Sequence, residues 1–147
     1  MKNQILTKNA LLSVLLVAGL MLIESCKDSE LTPQETTKAV LISSGGWKVQ
    51  TVTVDNTDKT SVYSGLAITF TESGFTATNG VPIWPASGTW SFTDEAGKNI
   101  KLGTGLEISI EEASKTKLVL KLNWNNTTLG SGRVTSVGGV NVFSFGK

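Results

Sequence analysis

The feature that most constrains this chain is an alternation of apolar and polar side chains with a period of two. It runs through much of the region between residues 66 and 124. Such alternation is typical of strands that turn one face to a core and the other to water. The long segments with this pattern are 66–70, 89–93, 106–111 and 117–124, and shorter candidates are 75–78, 100–102 and 140–145.

Two further segments are less regular. From Trp47 onward, Trp47 and Val49 share one face of a strand whereas Val52 and Val54 share the other. A β-bulge between the two pairs would shift the phase in this way, so we predict one there. In segment 140–145 valines and phenylalanines occupy opposite faces, and the pattern leaves open which of them points inward.

A short helix is predicted before the first strand. Thr32 is suited to the N-cap, Pro33 to the first helical position, and Glu35 completes a capping box. Gly45 and Gly46 are predicted to end the helix. Because a helix of this length is unstable alone, packing must hold it.

The connections between the predicted strands are short and rich in turn-forming residues, as at 71–74, 103–105 and 112–115. Eight strands joined mostly by hairpins predict an antiparallel up-and-down barrel, because closure removes exposed edges. The fold class is therefore all-β with a short N-terminal helix, and a β-sandwich is the alternative.

The first 25 residues have the organisation of a secretory signal. Lys2 and Lys8 precede an apolar run of 14 residues that ends at Ile23. As a helix, this run would span about 21 Å, which is short of the roughly 30 Å hydrocarbon core. A basic start followed by a short apolar run predicts a signal peptide over 1–25.

The run continues into Ile23-Glu24-Ser25-Cys26, which contains the single cysteine of the chain. This stretch resembles the cleavage site of bacterial lipoproteins, although Glu24 stands where a small uncharged residue is usual. The resemblance implies a diacylglyceryl group on the Cys26 sulfur and an acyl chain, such as palmitate, on its amino group. More than one acyl chain gives stable membrane anchoring. The alternatives are an ordinary signal peptide or an uncleaved anchor, with Cys26 incidental.

The predicted organisation is then a signal peptide over 1–25, a lipidated tether over 26–31 and one barrel domain over 32–147. Lys27-Asp28-Ser29-Glu30 resembles, in part, the export signal of surface lipoproteins in one Gram-negative lineage. A solvated tether explains the same residues. We expect a lipid anchor in the outer membrane, with exposure on the cell surface as the further expectation.

The barrel region, over residues 38–146, resembles the lipocalin-like domains of small bacterial lipoproteins. The resemblance rests on Gly45-Gly46-Trp47 after the helix, on 88–92 (Gly-Thr-Trp-Ser-Phe) and on the strand at 118–122. In lipocalins proper, a basic residue from the last strand covers the tryptophan of the first. Segment 140–145 contains no basic residue, and Arg133 lies before it, so this part of the pattern is not met.

Composition excludes several functions. Removal of the predicted signal peptide takes away Lys2, Lys8 and Glu24. Of the 13 basic residues 11 remain, and of the 12 acidic residues 11 remain, so the net charge of the mature chain is zero. Nucleic-acid binding needs a concentration of cations on one face, which a neutral chain with one arginine does not offer. The chain has no histidine. Histidine-dependent catalysis and His/Cys zinc sites are therefore excluded, and we expect no enzyme, metal or cofactor.

Carboxylates offer little further chemistry. Glu107 and Glu111 would lie on one outer face about 13 Å apart, too far for a catalytic pair. A pair assembled from different strands is left open. Asp55 and Asp58 could contribute to a weak calcium site, but an Asx-rich turn explains them more simply.

The aromatic residues give the functional hypothesis. Trp84 lies in Val81-Pro82-Ile83-Trp84-Pro85, a stiff segment between strands. It either plugs a barrel end or forms a rigid surface for a sugar or an apolar ligand, with Tyr63 beside it. Trp90 and Trp124, at inward strand positions, complete the candidate ligand-binding residues. We expect a non-enzymatic barrel that binds a small apolar molecule or glycan. The alternative is a structural or protein-interaction module of a surface complex.

Overall fold

In this computed structural model, the described residues are 30–43, 45–125 and 137–147, and they form one compact unit from Leu31 onward. Several of the features predicted above lie outside the described residues, among them residues 26–29 of the tether with Lys27, Asp28 and Ser29 of the export-signal resemblance. The signal peptide, the lipidation site Cys26 and Arg133 also lie outside them.

Helix α1 spans Pro33–Leu41 and begins as predicted. The Thr32 hydroxyl accepts a hydrogen bond from the backbone N–H of Glu35, and the Glu35 carboxylate accepts one from the backbone N–H of Thr32. The helix ends before the predicted glycines. Gly45 and Gly46, with φ of 107° and 65°, instead turn the chain into the first strand, a backbone conformation that glycine adopts without steric cost.

The strands form a closed antiparallel barrel, which confirms the predicted fold class over the sandwich. Each strand from β3 to β8 pairs with the next along the chain, and β1 pairs with both β3 and β9. The ring has eight strands, with β2 added outside it as a short hairpin partner of β1. The strands are β1 (Trp47–Val54), β2 (Thr57–Asp58), β3 (Ala67–Phe70), β4 (Gly74–Thr78), β5 (Ser87–Phe92), β6 (Asn99–Leu102), β7 (Glu107–Ala113), β8 (Lys117–Trp124) and β9 (Gly139–Gly146).

The structure explains the irregular apolar patterns of strands β1 and β9. The register between them shifts between Val49 and Thr51, which confirms the predicted bulge in β1. In β9 the phenylalanines Phe143 and Phe145 are fully buried, whereas Val140 is 37 % exposed. The two aromatic rings therefore fill the barrel, and the valine face of β9 points outward.

The barrel interior is filled by the side chains that the alternation placed inward. Trp90 is buried as predicted, whereas Phe92 and Trp124, also predicted to face inward, are only partly buried. Burial of this apolar surface is the main source of stability for a domain without disulfides. The largest fully buried side chains include those of Trp47, Tyr63, Ile68, Trp84, Leu118, Phe143 and Phe145.

The packing of Trp47 corrects one expectation. Its Nε1–H donates to the carbonyl of Leu41, 3.0 Å away, and so ties the end of α1 to the barrel. The Lys147 ammonium lies 4.7 Å from the centre of the Trp47 ring, within the range of a cation–π contact. A basic residue therefore does cover this tryptophan, but it follows β9 instead of lying within it.

The barrel has two distinct ends. At the helix end, α1 packs beside the turns that leave β3 and β5, through an ion pair between Lys38 and Glu72 and a hydrogen bond from the Gln34 amide to the Asp94 carbonyl. The opposite, loop end carries the connections 55–66, 79–86 and 103–106 and the start of β9.

Candidate functional site

The loop end is closed by a plug of apolar side chains from the segment between β4 and β5. Ile83 and Trp84 are both buried, with 2 % and 1 % of their surfaces exposed. The Trp84 ring meets the rings of Phe75 and Phe143 edge to face, at centroid separations of 6.1 and 5.8 Å. Trp84 therefore occupies the plugging position that was one of its two predicted roles.

A groove of about 370 Å³ lies beside this plug. We call it the loop-end groove. Three short stretches form its walls: Pro82, Ile83 and Pro85 before β5, residues 104–106 between β6 and β7, and residues 123–125 at the end of β8. Apolar and amide-bearing residues dominate the walls, and none of the described residues lining the groove carries a charge.

The four candidate ligand-binding residues occupy different places. Trp124 lines the loop-end groove. Trp84 and Tyr63 lie at the same end but are buried, and the Tyr63 ring packs edge to face on Phe143 at 5.0 Å. Trp90 is tied to the β3–β4 turn at the helix end, because its Nε1–H donates to the carbonyls of Thr71 and Gly74.

Sequence reasoning missed the other walls of the groove. The strand pattern predicts Leu106 only as a core residue, residues 103–105 predict only a turn, and no role is predicted for Asn125. The convergence of three loops creates the site, and no local pattern signals such convergence. The cluster of amides at 123–125, where β8 ends, is the one signal in the sequence that pointed to it.

Buried polar atoms below the groove lack hydrogen-bond partners. Among the described residues, nothing accepts from the indole Nε1 of Trp84 or of Trp124, and nothing donates to the Asn141 side-chain oxygen. The Asn141 amide nitrogen, by contrast, donates to the carbonyls of Val137 and Gly139, each 2.9 Å away. An unpaired polar atom in a protein interior is costly and calls for a partner such as water or a ligand.

Strand register places these atoms at one end of the interior. Asn141 pairs with Leu122 across β8 and β9, so Trp124 is its diagonal neighbour on the inward face, about 7–8 Å away between backbones. Phe143, against which Trp84 packs, is the next inward residue after Asn141 on β9. The unpaired groups thus lie on neighbouring positions of the loop end.

The outer face of the barrel carries two neighbouring concavities. They have volumes of about 460 and 520 Å³, and both are lined by Glu111, Lys121 and Val140. The Glu111 carboxylate and the Lys121 ammonium are 3.9 Å apart and about half exposed. Such an exposed pair stabilises the fold little, so these charges remain available for contacts with a partner.

The aspartates near the turns serve the backbone. Asp94 accepts hydrogen bonds from the backbone N–H groups of Asn99 and Lys98, and the bond from Asn99 does most to lower its pKa. The Thr60 hydroxyl and N–H likewise hold the pKa of Asp58 below its ordinary value. Asp55 accepts from the N–H of Val140, so the Asp55–Asp58 turn uses its carboxylates for structure.

The described residues offer neither a metal site nor a membrane-spanning helix. Over the described ranges, no three His, Cys, Asp or Glu side chains converge to hold a metal ion. None of the helical segments in the described part of the chain has the length and apolar character that spanning a bilayer requires. No family model, curated protein or solved structure matches the chain. The fold itself assigns the chain to the closed, up-and-down antiparallel β-barrels.

Proposed function

We propose that the chain is the precursor of a lipid-anchored outer-membrane protein whose non-catalytic, lipocalin-like barrel binds a small uncharged molecule at the loop-end groove. The observation that carries the binding proposal is the groove itself. It is concave and rich in apolar surface, the described residues of its walls carry no charge, and a few of them bear amide groups. These are the general properties of small-molecule sites in proteins.

The filled interior supports a site at the rim instead of the centre. Large aromatic rings occupy the axis of the barrel, as Trp47, Trp84 and Phe143 show by their complete or nearly complete burial. A ligand inside the barrel would have to displace them, at the cost of contacts worth several kcal/mol per ring (about 3–5 when an aromatic side chain is lost). A ligand in the loop-end groove leaves these rings in place.

The lipid anchor is supported by the sequence at 23–26 and is tested by labelling the attached fatty acid. Cells are grown with an alkyne-labelled fatty acid, and the protein is isolated, conjugated to a dye and analysed by mass. We expect label on the wild type and a mass that lacks residues 1–25. Cys26→Ser should carry no label and retain the signal peptide, whereas Ser25→Ala should behave as the wild type. Equal labelling of the Cys26→Ser protein would refute lipidation at this residue.

Binding at the groove is tested by calorimetric titration of the full chain, purified as cells process it, with a panel of uncharged sugars and apolar molecules. We expect saturable binding by at least one of them, and loss of that binding when Leu106→Asp places a charge in the groove wall. The outward substitution Thr76→Asp, on β4, is the control. Absence of binding across the panel, or equal binding by both variants, would refute the groove as the site.

A second function, the docking of a partner protein, is favoured by the paired concavities of the outer face. Glu111, Lys121 and Val140 line both of them, and Val140 adds exposed apolar surface. Cross-linking in whole cells, followed by purification, should then yield one stoichiometric partner. Lys121→Glu should abolish its capture and Leu106→Asp should not, and the reverse result would argue for the groove.

A further inference from the structure

We infer that the ligand of the loop-end groove is a neutral saccharide, and not an apolar molecule such as a fatty acid. This inference rests on the proposed function and names its ligand class. It follows from three properties of the groove: the charge of its walls, its aromatic surface, and its hydrogen-bonding groups.

The described residues of the walls disfavour charged ligands. No lysine, arginine, aspartate or glutamate is among the described residues that line the groove. A carboxylate or ammonium group placed there would lose water without gaining an opposite charge, which is strongly unfavourable. The free carboxylate of a fatty acid and the uronic acids of acidic polysaccharides are disfavoured on this ground.

The aromatic surface suits a sugar ring. Trp124 is partly buried and lines the groove together with Pro82 and Pro85. The face of an indole ring carries negative charge density, which attracts the weakly positive C–H groups on one face of a pyranose ring. A volume of about 370 Å³ lies near the lower limit of ordinary ligand pockets, roughly 300–1,000 Å³. It therefore fits one or two sugar units.

The hydrogen-bonding groups decide between a sugar and an apolar ligand. Asn123, Asn125 and Thr104 bring amides and a hydroxyl to the groove, each able to donate and accept. A sugar hydroxyl also does both, so it pairs with any of them, whereas a hydrocarbon removes their water and offers nothing in return. Each hydrogen bond lost in this way lowers affinity by about fivefold to tenfold.

The unpaired atoms below the groove extend the same chemistry. The Nε1–H groups of Trp84 and Trp124 are donors, and the Asn141 side-chain oxygen is an acceptor. Since donors and an acceptor lie at one end of the interior, ordered water or a ligand hydroxyl can satisfy both kinds together. We expect water held there to connect these groups to the hydroxyls of a sugar in the groove, whereas an apolar ligand offers that water no hydrogen bond.

The test compares three ligands on the full chain, purified as cells process it: cellobiose as a neutral disaccharide, a disaccharide ending in glucuronic acid, and lauric acid. Binding is measured by calorimetry and by tryptophan fluorescence. Trp124 is the reporter, because the other three tryptophans are at least 95 % buried. We expect the neutral disaccharide to bind and to shift this emission, and the two acids to bind at least tenfold more weakly.

Variants identify the groups involved. Asn123→Leu removes an exposed amide from the groove and should weaken disaccharide binding by about fivefold to tenfold. Thr76→Ala, on the outer face of β4, is the control and should bind as the wild type. Since Asn123 is exposed, failure to fold is not expected, and circular dichroism checks it.

The outcomes separate the two levels of the proposal. Binding of lauric acid in the groove without disaccharide binding would overturn the saccharide inference and leave the proposed function in place. Preference for the acidic sugar would overturn the inference in the same way. If no uncharged sugar and no apolar molecule binds, both are overturned. Disaccharide binding that Asn123→Leu leaves unchanged would also contradict the inference.

Discussion

Trp90 gives the sharpest test of the barrel, because its contribution divides into packing and hydrogen bonding. Its ring packs edge to face against Phe70 and Phe92, at centroid separations of 5.9 and 5.2 Å, and it is 5 % exposed. Its Nε1–H donates to the carbonyl oxygens of Thr71 and Gly74 in the β3–β4 turn, and the nitrogen lies 3.0 Å from each oxygen. Trp90→Ala removes both contributions, whereas Trp90→Phe keeps an aromatic ring and loses the donor.

The expected costs follow from these contacts. Loss of a large aromatic ring from a packed core costs about 3–5 kcal/mol, so Trp90→Ala should lower the free energy of unfolding by that amount. Trp90→Phe should cost about 1–2 kcal/mol, because a typical hydrogen bond contributes about 1 kcal/mol and the smaller ring packs less fully. With a urea m-value of about 1.5 kcal/mol/M, the alanine variant should unfold at a urea concentration lower by about 2–3 M.

The assay is urea unfolding followed by circular dichroism at equilibrium. Trp124→Ala is the matched control, because it removes the same side chain from a partly exposed position and should cost less. A loss below about 1 kcal/mol for Trp90→Ala would refute the packing described here, since a buried ring of this size costs more than that to remove. Equal losses for the alanine and phenylalanine variants would assign the stability to the hydrogen bonds instead.

Two further predictions concern the helix end. Gly97 has a φ of 65°, and a Cβ built there would lie 2.9 Å from Gln34 Cα, so Gly97→Ala should loosen α1 as well as strain the backbone. Gly105→Ala is the control, because Gly105 has a φ of 90° but open space around it. It should lower the free energy of unfolding only by the backbone strain, about 1–2 kcal/mol. Equal losses of stability for the two variants in urea melts would contradict the contact between Gly97 and Gln34. The second prediction concerns Asp94. Hydrogen bonding by Asn99 lowers the pKa of its carboxyl group in the folded state. The ionised carboxylate therefore stabilises the fold at pH values above the pKa of the unfolded chain, and this stabilisation is lost as the pH falls through the lower pKa of the folded state. Asp94→Asn should therefore unfold more easily than the wild type at neutral pH, with a difference that shrinks below about pH 4, and a constant difference would contradict this.

The strand pattern predicted the barrel because a period of two places a whole set of side chains on one face. Leu118, Leu120 and Leu122 are buried as their alternation required. In β9 the pattern failed to decide the phase, since both faces carry apolar residues. It also gave no reason to expect Asn141 inside, where neighbouring carbonyls satisfy its amide nitrogen.

The candidate site was less predictable because it depends on how loops from different strands meet. Trp84 had two interpretations, and only its packing against Phe75 and Phe143 distinguishes the plug from an exposed platform. Trp124 was expected inside, but it ends β8 at the loop end, where the core gives way to the groove. Lys147 was not predicted to cover Trp47, because it follows the segment 140–145 in which the lipocalin pattern places the covering cation.

Closure of the ring through β1 and β9 has a consequence for the biosynthesis of the protein. β9 forms ladders with both β1 and β8, so β1 lacks one of its two neighbours in the ring until β9 has left the ribosome. Pairings between distant parts of a chain also form slowly compared with local ones. For a precursor exported as proposed above, this delay keeps the barrel open for as long as the chain is being synthesised, which is a state that can still be translocated.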